Sequence, residues 1–198
     1  MKLNPDLLLA WGANSKKYAK NEIVFQDGTE PKSYYQIVSG AVKMVNINSE
    51  GREFTQGYFY EGNSFGEPPL FIDETYPATA ITLMPSVIMR LPKLTFLRLI
   101  DEYPALHKQV IYEFAQRIHN KATTARIIIN NSPEERIIGF LENYKAHHKN
   151  AAANKILIPF TRQEIANFTG LRVETVIRTL TKMKEKKQVA IINRKLYY

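Results

Sequence analysis

The chain contains no cysteine. That excludes disulfides, cysteine-ligated zinc and thiolate-held iron–sulfur clusters, and it fits a reducing compartment. Histidine is scarce: only His107, His119, His147 and His148 occur, so the first hundred residues offer no imidazole to a metal or a haem. Long hydrophobic runs are missing. The early run Leu7-Leu8-Leu9-Ala10-Trp11 follows Asp6; it is too short to span a membrane and lacks signal-peptide form. Lys, Arg and His are absent from Glu53 to Met89. No Ser/His/Asp set, metal-ligand spacing or placed pair of catalytic carboxylates is visible, so no catalytic residue, metal site or enzyme activity is expected.

What is present is the composition of a folded protein: 198 residues, 44% apolar and 23% charged. Residues 1 to 20 read as a short amphipathic helix or arm, docked by Leu7, Leu8 and Trp11. From Asn21 to about Pro92 the texture is that of strands. Six of the nine glycines fall between Gly28 and Gly66. They help separate short β-branched and aromatic runs: Ile23–Phe25, Tyr34–Val38, Ala41–Val45, Glu53–Phe59, Thr79–Leu83 and Ser86–Met89. Many short strands with regular turns predict an all-β barrel or jelly roll.

From Leu94 the pattern turns helical. Thr95–Ile100 is a short helix. A long one runs from Pro104, a natural first-turn residue, to Ile129. At about 26 residues it would measure roughly 39 Å, longer than a small barrel needs. Leu106, Val110, Phe114, Ile118 or Lys121, Ala125 and Ile128 form a stripe at three- and four-residue steps. Pairing with a second copy is expected there, which places Val110, Phe114, Ile118, Lys121, Ala125 and Ile128 at a dimer interface. Asn130-Asn131-Ser132-Pro133 breaks the helix and marks a hinge. Ser132 caps the next helix, which carries Glu134 and Glu135 in its first turn and runs to about His147. A polar loop, His148 to Lys155, and a short strand, Ile156–Ile158, follow.

The most informative stretch is Thr161 to Lys187. Thr161 and Glu164 form a capping-box pattern. Thr169-Gly170 stops that helix, and a second begins near Arg172. Val173, Val176, Ile177, Leu180 and Met183 mark its apolar side, leaving Arg172, Glu174, Thr175, Arg178 and Lys182 outward. Two helices around a glycine turn, the second with a basic polar face, form a helix-turn-helix pattern. Lys155 to Tyr198 carries ten Lys and Arg against three acids, a balance of +7 out of the chain's formal +8. Such concentration is the footprint of a polyanion binder. Val189–Ile192 and Leu196–Tyr198 read as a hairpin wing with Arg194 and Lys195 at its tip.

The order β-roll, long helix, hinge and winged helix-turn-helix resembles the cyclic-AMP receptor protein/FNR superfamily of bacterial transcription regulators. The resemblance covers nearly the whole chain. It is carried by TRQEIANFTG (161–170), ETVIRTLTKMKEK (174–186), YYQIVSGAVKM (34–44) and EGNSFGEPPLF (61–71). It implies an α+β fold: a β-roll (double-stranded β-helix, cyclic-nucleotide-binding-like) effector domain over 1–102, a dimerisation helix and hinge over 103–131, and a winged helix-turn-helix over 132–198. It implies a cytoplasmic homodimer with double-stranded DNA and RNA polymerase as partners and no membrane role. Glu174 and Arg178 stand where the family reads a cytosine and a guanine, and Thr161, Arg162 and Thr175 match positions that touch phosphate or bases. Arg172 and Lys182 are added as outward cations. Val173 departs from the Arg of cyclic-AMP-responsive members, so an altered half-site is expected.

A second departure concerns the effector. Gly66 and Glu67 match the family's phosphate-turn pair. The Arg-Ser or Arg-Thr expected about ten residues later is replaced by Tyr76-Pro77-Ala78. The paired hydroxyls that meet adenine fall at Lys121-Ala122, with Thr123 and Thr124 on other faces. A buried phosphate without a cation is a poor exchange for lost hydration. No cofactor is expected, and usual cyclic-AMP binding is not expected. The competing reading is a small-molecule-binding β-roll whose helical tail mediates protein contacts.

Overall fold

The computed structural model describes residues 2–130, 132–146 and 155–198, without the side chains of 124, 126–130 and 146. The side chain of Ile128, expected at the interface, and Asn131 of the hinge, His147, His148 and the loop up to 154 lie outside what is described. The chain forms two compact units, Met1–Ile118 and His119–Tyr198.

In the first unit, helix α1 (Pro5–Ala10) is followed by β1 (Asn14–Tyr18), β2 (Ile23–Phe25), β3 (Ser33–Ser39), β4 (Ala41–Ile47), β5 (Glu53–Tyr60) and β6 (Ser64–Phe65). A short helix α2 (Pro68–Ile72) precedes β7 (Thr79–Thr82), β8 (Ser86–Pro92), α3 (Lys93–Glu102) and α4 (Pro104–Asn130). The strands make two antiparallel four-stranded sheets, ordered β1-β8-β3-β6 and β2-β7-β4-β5. Between them lies an aromatic-rich core of Tyr18, Phe25, Tyr35, Ile37, Val42, Phe65, Tyr76 and Ile88. On the other face of the first sheet, Tyr34, Met89 and Leu91 pack with Leu8, Phe96, Leu99, Ile100 and Val110 of the helices. That sheet is covered on both faces, which is why Tyr34–Ile37 reads as a continuous run instead of alternating.

The amino-terminal arm departs from the sequence expectation. Asn14-Ser15-Lys16-Lys17-Tyr18 is a strand paired with β8, and only Tyr18 of it is buried. It is the edge of its sheet, where exposed lysines discourage pairing with other chains. The segment before it is pinned by Gln36, which is 2% exposed. Leu3 N–H donates to Gln36 Oε1 at 2.9 Å, and Gln36 Nε2 donates to Leu3 C=O at 2.9 Å.

Helix α4 corrects the expected interface. Val110 is 5% exposed and belongs to the first unit's own core, with Leu106 and Phe114 packed against it. Phe114 meets Phe71 edge-on at 5.5 Å. The reason is cover: the outer sheet face and α3 need an apolar lid, and the 106/110/114 face supplies it. The outward face instead carries Ile111, Ala115, Ile118, Ala122 and Ala125, all exposed, at steps of four and three. Lys121 and Ala125 are exposed as well.

The second unit holds α5 (Pro133–Ala146), β9 (Leu157–Ile158), α6 (Arg162–Thr169), α7 (Val173–Glu185), β10 (Ala190–Ile192) and β11 (Lys195–Tyr197). Its sheet is ordered β10-β11-β9. Ile137, Phe140 and Leu141 of α5 are buried, as are Ile165, Val176, Leu180, Met183 and Leu196. Phe140 contacts Phe160 and Phe168 at 5.3 and 4.9 Å.

Candidate nucleic-acid interface and effector site

Helix α6 begins as its sequence requires. Glu164 N–H donates to Thr161 Oγ1 at 3.1 Å, and Thr161 N–H donates to Glu164 Oε2 at 2.7 Å. Both halves of the capping box are made, so Thr161 is committed to the helix start. The helix stops at Gly170, whose φ of 67° lies in the left-handed region that glycine adopts freely. Arg172 then caps α7 without a side-chain hydrogen bond.

Helix α7 turns Val176, Thr179, Leu180 and Met183 inward. Arg172, Glu174, Arg178 and Lys182 are exposed, Arg162 and Thr175 half-buried. Glu174, Arg178 and Lys182 follow one another at four-residue steps and share one outward face. Partial burial lowers the Arg162 pKa from its ordinary value. One expectation fails here. Ile177 is 50% exposed and does not belong to the apolar side, because the inward arc is already filled by the other four residues. Lys186, also in the basic count, is tied to Glu134 of α5 at 2.8 Å.

The wing is a tight hairpin. Asn193 and Arg194 form its two-residue loop at φ 49° and 64°. Both values suit a type I′ turn, which matches the twist of the strands. The turn displays exposed Arg194 beside exposed Lys195.

The positions matched to a phosphate turn lie in the roll. Gly66 has φ 75°, and a Cβ there would stand 2.7 Å from the Phe25 ring and 3.2 Å from that of Tyr76. The Phe25 and Tyr76 rings stack with centroids 3.7 Å apart. Tyr76 is 1% exposed, and its hydroxyl has no hydrogen-bond partner among the described residues. Burial, then the nearby Tyr35 and Glu67, push its pKa far above the ordinary phenol value.

Glu67 is fully buried, and α4 supplies its counter-charge. Arg117 Nη1 donates to Glu67 Oε2 at 2.8 Å, and Nη2 donates to Glu67 Oε1 at 3.2 Å and to Ser64 C=O at 3.0 Å. Burial works against the Arg117 charge, but Glu67 outweighs it and raises the guanidinium pKa. Sequence reasoning missed this pair. The cation sought within the roll comes from 50 residues away. Its signal is Arg117 itself, a cation one turn after Phe114 on the helix face that carries Leu106, Val110 and Phe114.

A self-contained β-roll followed by a winged helix-turn-helix defines a DNA-binding regulator. Two family descriptions match: a cyclic nucleotide-binding domain over residues 15–103 and a Crp-like helix-turn-helix domain over 135–197. The chain is 27% identical over 173 residues to the transcriptional activator protein Anr of Pseudomonas protegens, covering 86% of this chain and 70% of that protein. It is 26% identical over 179 residues to the nitrogen fixation regulation protein FixK of Bradyrhizobium diazoefficiens, covering 89% and 74%. Among solved structures it is similar to the c-di-GMP responsive global regulator CLP of Xanthomonas campestris, with TM-score 0.80, 20% identity and coverage of 96% and 95%. A CooA mutant from Carboxydothermus hydrogenoformans gives TM-score 0.82 at 18% identity, covering 100% and 87%. The chain belongs to the cyclic-AMP receptor protein/FNR superfamily of transcription regulators. It is a DNA-binding regulator and not an enzyme.

Proposed function

We propose that the chain acts in the cytoplasm as a homodimer that reads a two-fold-symmetric DNA site without cyclic AMP and signals to RNA polymerase. The observation that carries the DNA reading is the outward face of α7, where exposed Glu174 and Arg178 lie one turn apart in the segment that holds +7 of the net charge. A carboxylate accepts from the cytosine amino group, and a guanidinium forks onto guanine O6 and N7. The dimer reading rests on the exposed stripe Ile111, Ala115, Ile118, Ala122 and Ala125, whose alternating steps of four and three make a coiled-coil seam.

The effector reading rests on Glu67 and Tyr76. Both Glu67 oxygens are bound by Arg117, and Tyr76 is stacked on Phe25 where the family keeps a phosphate-binding cation. The residues present do not fit a cyclic nucleotide. Titration of purified protein onto DNA across a salt series is the test. Log K is expected to fall linearly with log salt, by about 0.9 for each phosphate neutralised, with two chains per duplex. Added cyclic AMP should change nothing. Salt-independent or absent DNA binding would overturn the DNA reading, and tight stoichiometric cyclic-AMP binding in a calorimeter would overturn the effector reading.

A further inference from the structure

Arg90 lies on β8, between β1 and β3, and is the first cation after Arg52. The strand register sets it beside Asn14 and Tyr35, with Ile88, Lys16 and Ile37 next along the same face. That face is turned toward the second sheet, since Tyr35, Ile37 and Ile88 belong to the aromatic-rich core. Burial raises the pKa of Tyr18 and of Tyr35, and the nearby Arg90 charge pulls each back down. A guanidinium is always charged, so a half-buried one calls for a counter-charge. Among the described residues no carboxylate pairs with it. Its Nε is buried without a hydrogen-bond partner, and Nη2 donates only to Asn14 Oδ1, at 3.5 Å. Glu22, the acid near Tyr18, is held elsewhere: Oε1 by Lys16 at 3.4 Å and Oε2 by Ala19 N–H at 2.7 Å. Arg117, by contrast, has both oxygens of Glu67.

We propose that Arg90 is the centre of a binding site for a small oxyanion, a carboxylate or phosphoryl group carried by a small molecule, where β1, β8 and β3 run side by side. The turn of Gly66 and Glu67 follows β6, two strands away across the sheet, and its carboxylate is taken by Arg117. Nε and Nη2 form the side-on fork of a guanidinium, which a pair of carboxylate or phosphate oxygens takes in two parallel bonds. The long contact of Nη2 to exposed Asn14 is the one an entering oxygen displaces. Lys16 brings a second positive charge to the same face, with Nζ 4.3 Å from the Tyr18 ring centroid. An anion satisfies the orphaned Nε donor, so binding removes a desolvation cost that the free protein carries. The occupant is small because the fork is flanked by Tyr18, 4% exposed, and Tyr35, 7% exposed. A protein surface or a duplex cannot follow a side chain in between two such rings.

The test titrates the full chain, without DNA, with inorganic phosphate and separately with citrate, chloride holding the ionic strength constant. Backbone amide NMR shifts locate the binding, and calorimetry gives its affinity. At least one of the two anions should saturate, with shifts in β1, in β3 and in β8 around Arg90. Which anion does so decides between the phosphoryl and the carboxylate group. Arg90→Met, which keeps the length of the hydrocarbon, should weaken that binding about tenfold or more, the worth of a charge-assisted hydrogen bond. Its unfolding midpoint in chloride should equal or exceed wild type, because an unpaired charge has been removed. Saturation by neither anion overturns the proposal. So do shifts confined to the basic segment 155–198, and so does wild-type affinity in Arg90→Met. Should Arg90→Met fail to fold, the shift map of the wild-type protein decides alone.

Discussion

The Arg117 guanidinium grips both oxygens of Glu67: Nη1 lies 2.8 Å from Oε2, and Nη2 lies 3.2 Å from Oε1. The side chain of Glu67 is fully buried, and that of Arg117 is 26% exposed. The pair ties the start of α2 to α4 within the roll unit. Removing one partner strands a buried charge. Arg117→Met should therefore lower unfolding stability by about 3 kcal/mol, the lower end for a broken buried pair, because Arg117 keeps some access to water. Arg117→Met combined with Glu67→Gln should recover much of that loss. Urea unfolding of the three proteins measures it.

The buried phenols predict an alkaline limit. Burial raises the pKa values of Tyr34, Tyr76, Tyr35 and Tyr18 above the ordinary value of 10.0. The folded state then keeps protons that the unfolded chain releases. That contribution is fully present below about pH 10 and is lost as pH rises toward the folded-state pKa values. The urea midpoint should hold through neutral pH and fall steeply above about pH 10, with phenolate absorbance appearing on unfolding. Tyr76→Phe removes a buried hydroxyl that has no partner among the described residues, and should raise stability by about 1 kcal/mol. A large loss of stability in that variant would mean that the hydroxyl is satisfied.

Two residues on opposite faces of α4 allow folding to be tested apart from the proposed assembly. Ile118 is 69% exposed and Val110 is 5% exposed. Ile118→Arg should give a folded monomer with weakened DNA binding, seen as a halved mass in sedimentation. Val110→Arg should unfold the roll, because it drives a charge into the core. A dimeric Ile118→Arg protein would rule out the stripe as the seam.

The wing tip sets a positive-φ residue beside a second exposed cation. Arg194 sits at φ 64°, which a residue with a Cβ adopts at a cost of about 1 kcal/mol. Arg194→Gly should raise the thermal midpoint of the second unit. It should also weaken DNA binding at low salt and reduce the salt slope by about 0.9 per chain. Unchanged DNA binding would mean that the wing tip stands away from the phosphates.

The elements that were legible in the sequence are those whose signals are local. The Thr161–Glu164 box, the stop at Gly170 and the starts at Pro104 and Pro133 each depend on neighbours within a turn, and each element lies where the pattern put it. Three features depend on distant partners and were not legible. β1 looks polar because it is an edge strand whose apolar support comes from β8. The inner face of α4 is decided by the sheet and α3, not by the helix's own stripe. The counter-charge of Glu67 arrives from 50 residues away in sequence. Ile177 shows the limit of periodicity: four inward residues already fill the arc, and a fifth at the right spacing is left outside.

The central claim is that this chain reads a specific DNA site by itself. Its most direct test is selection of genomic DNA fragments by purified protein with no effector added. The account predicts enrichment of a two-fold-symmetric site with a cytosine–guanine pair in each half, and loss of that enrichment in Arg178→Ala. Purified, folded protein that enriches no sequence would contradict it; enrichment restored by cell extract would leave the DNA reading standing and overturn the claim that the chain reads its site unaided.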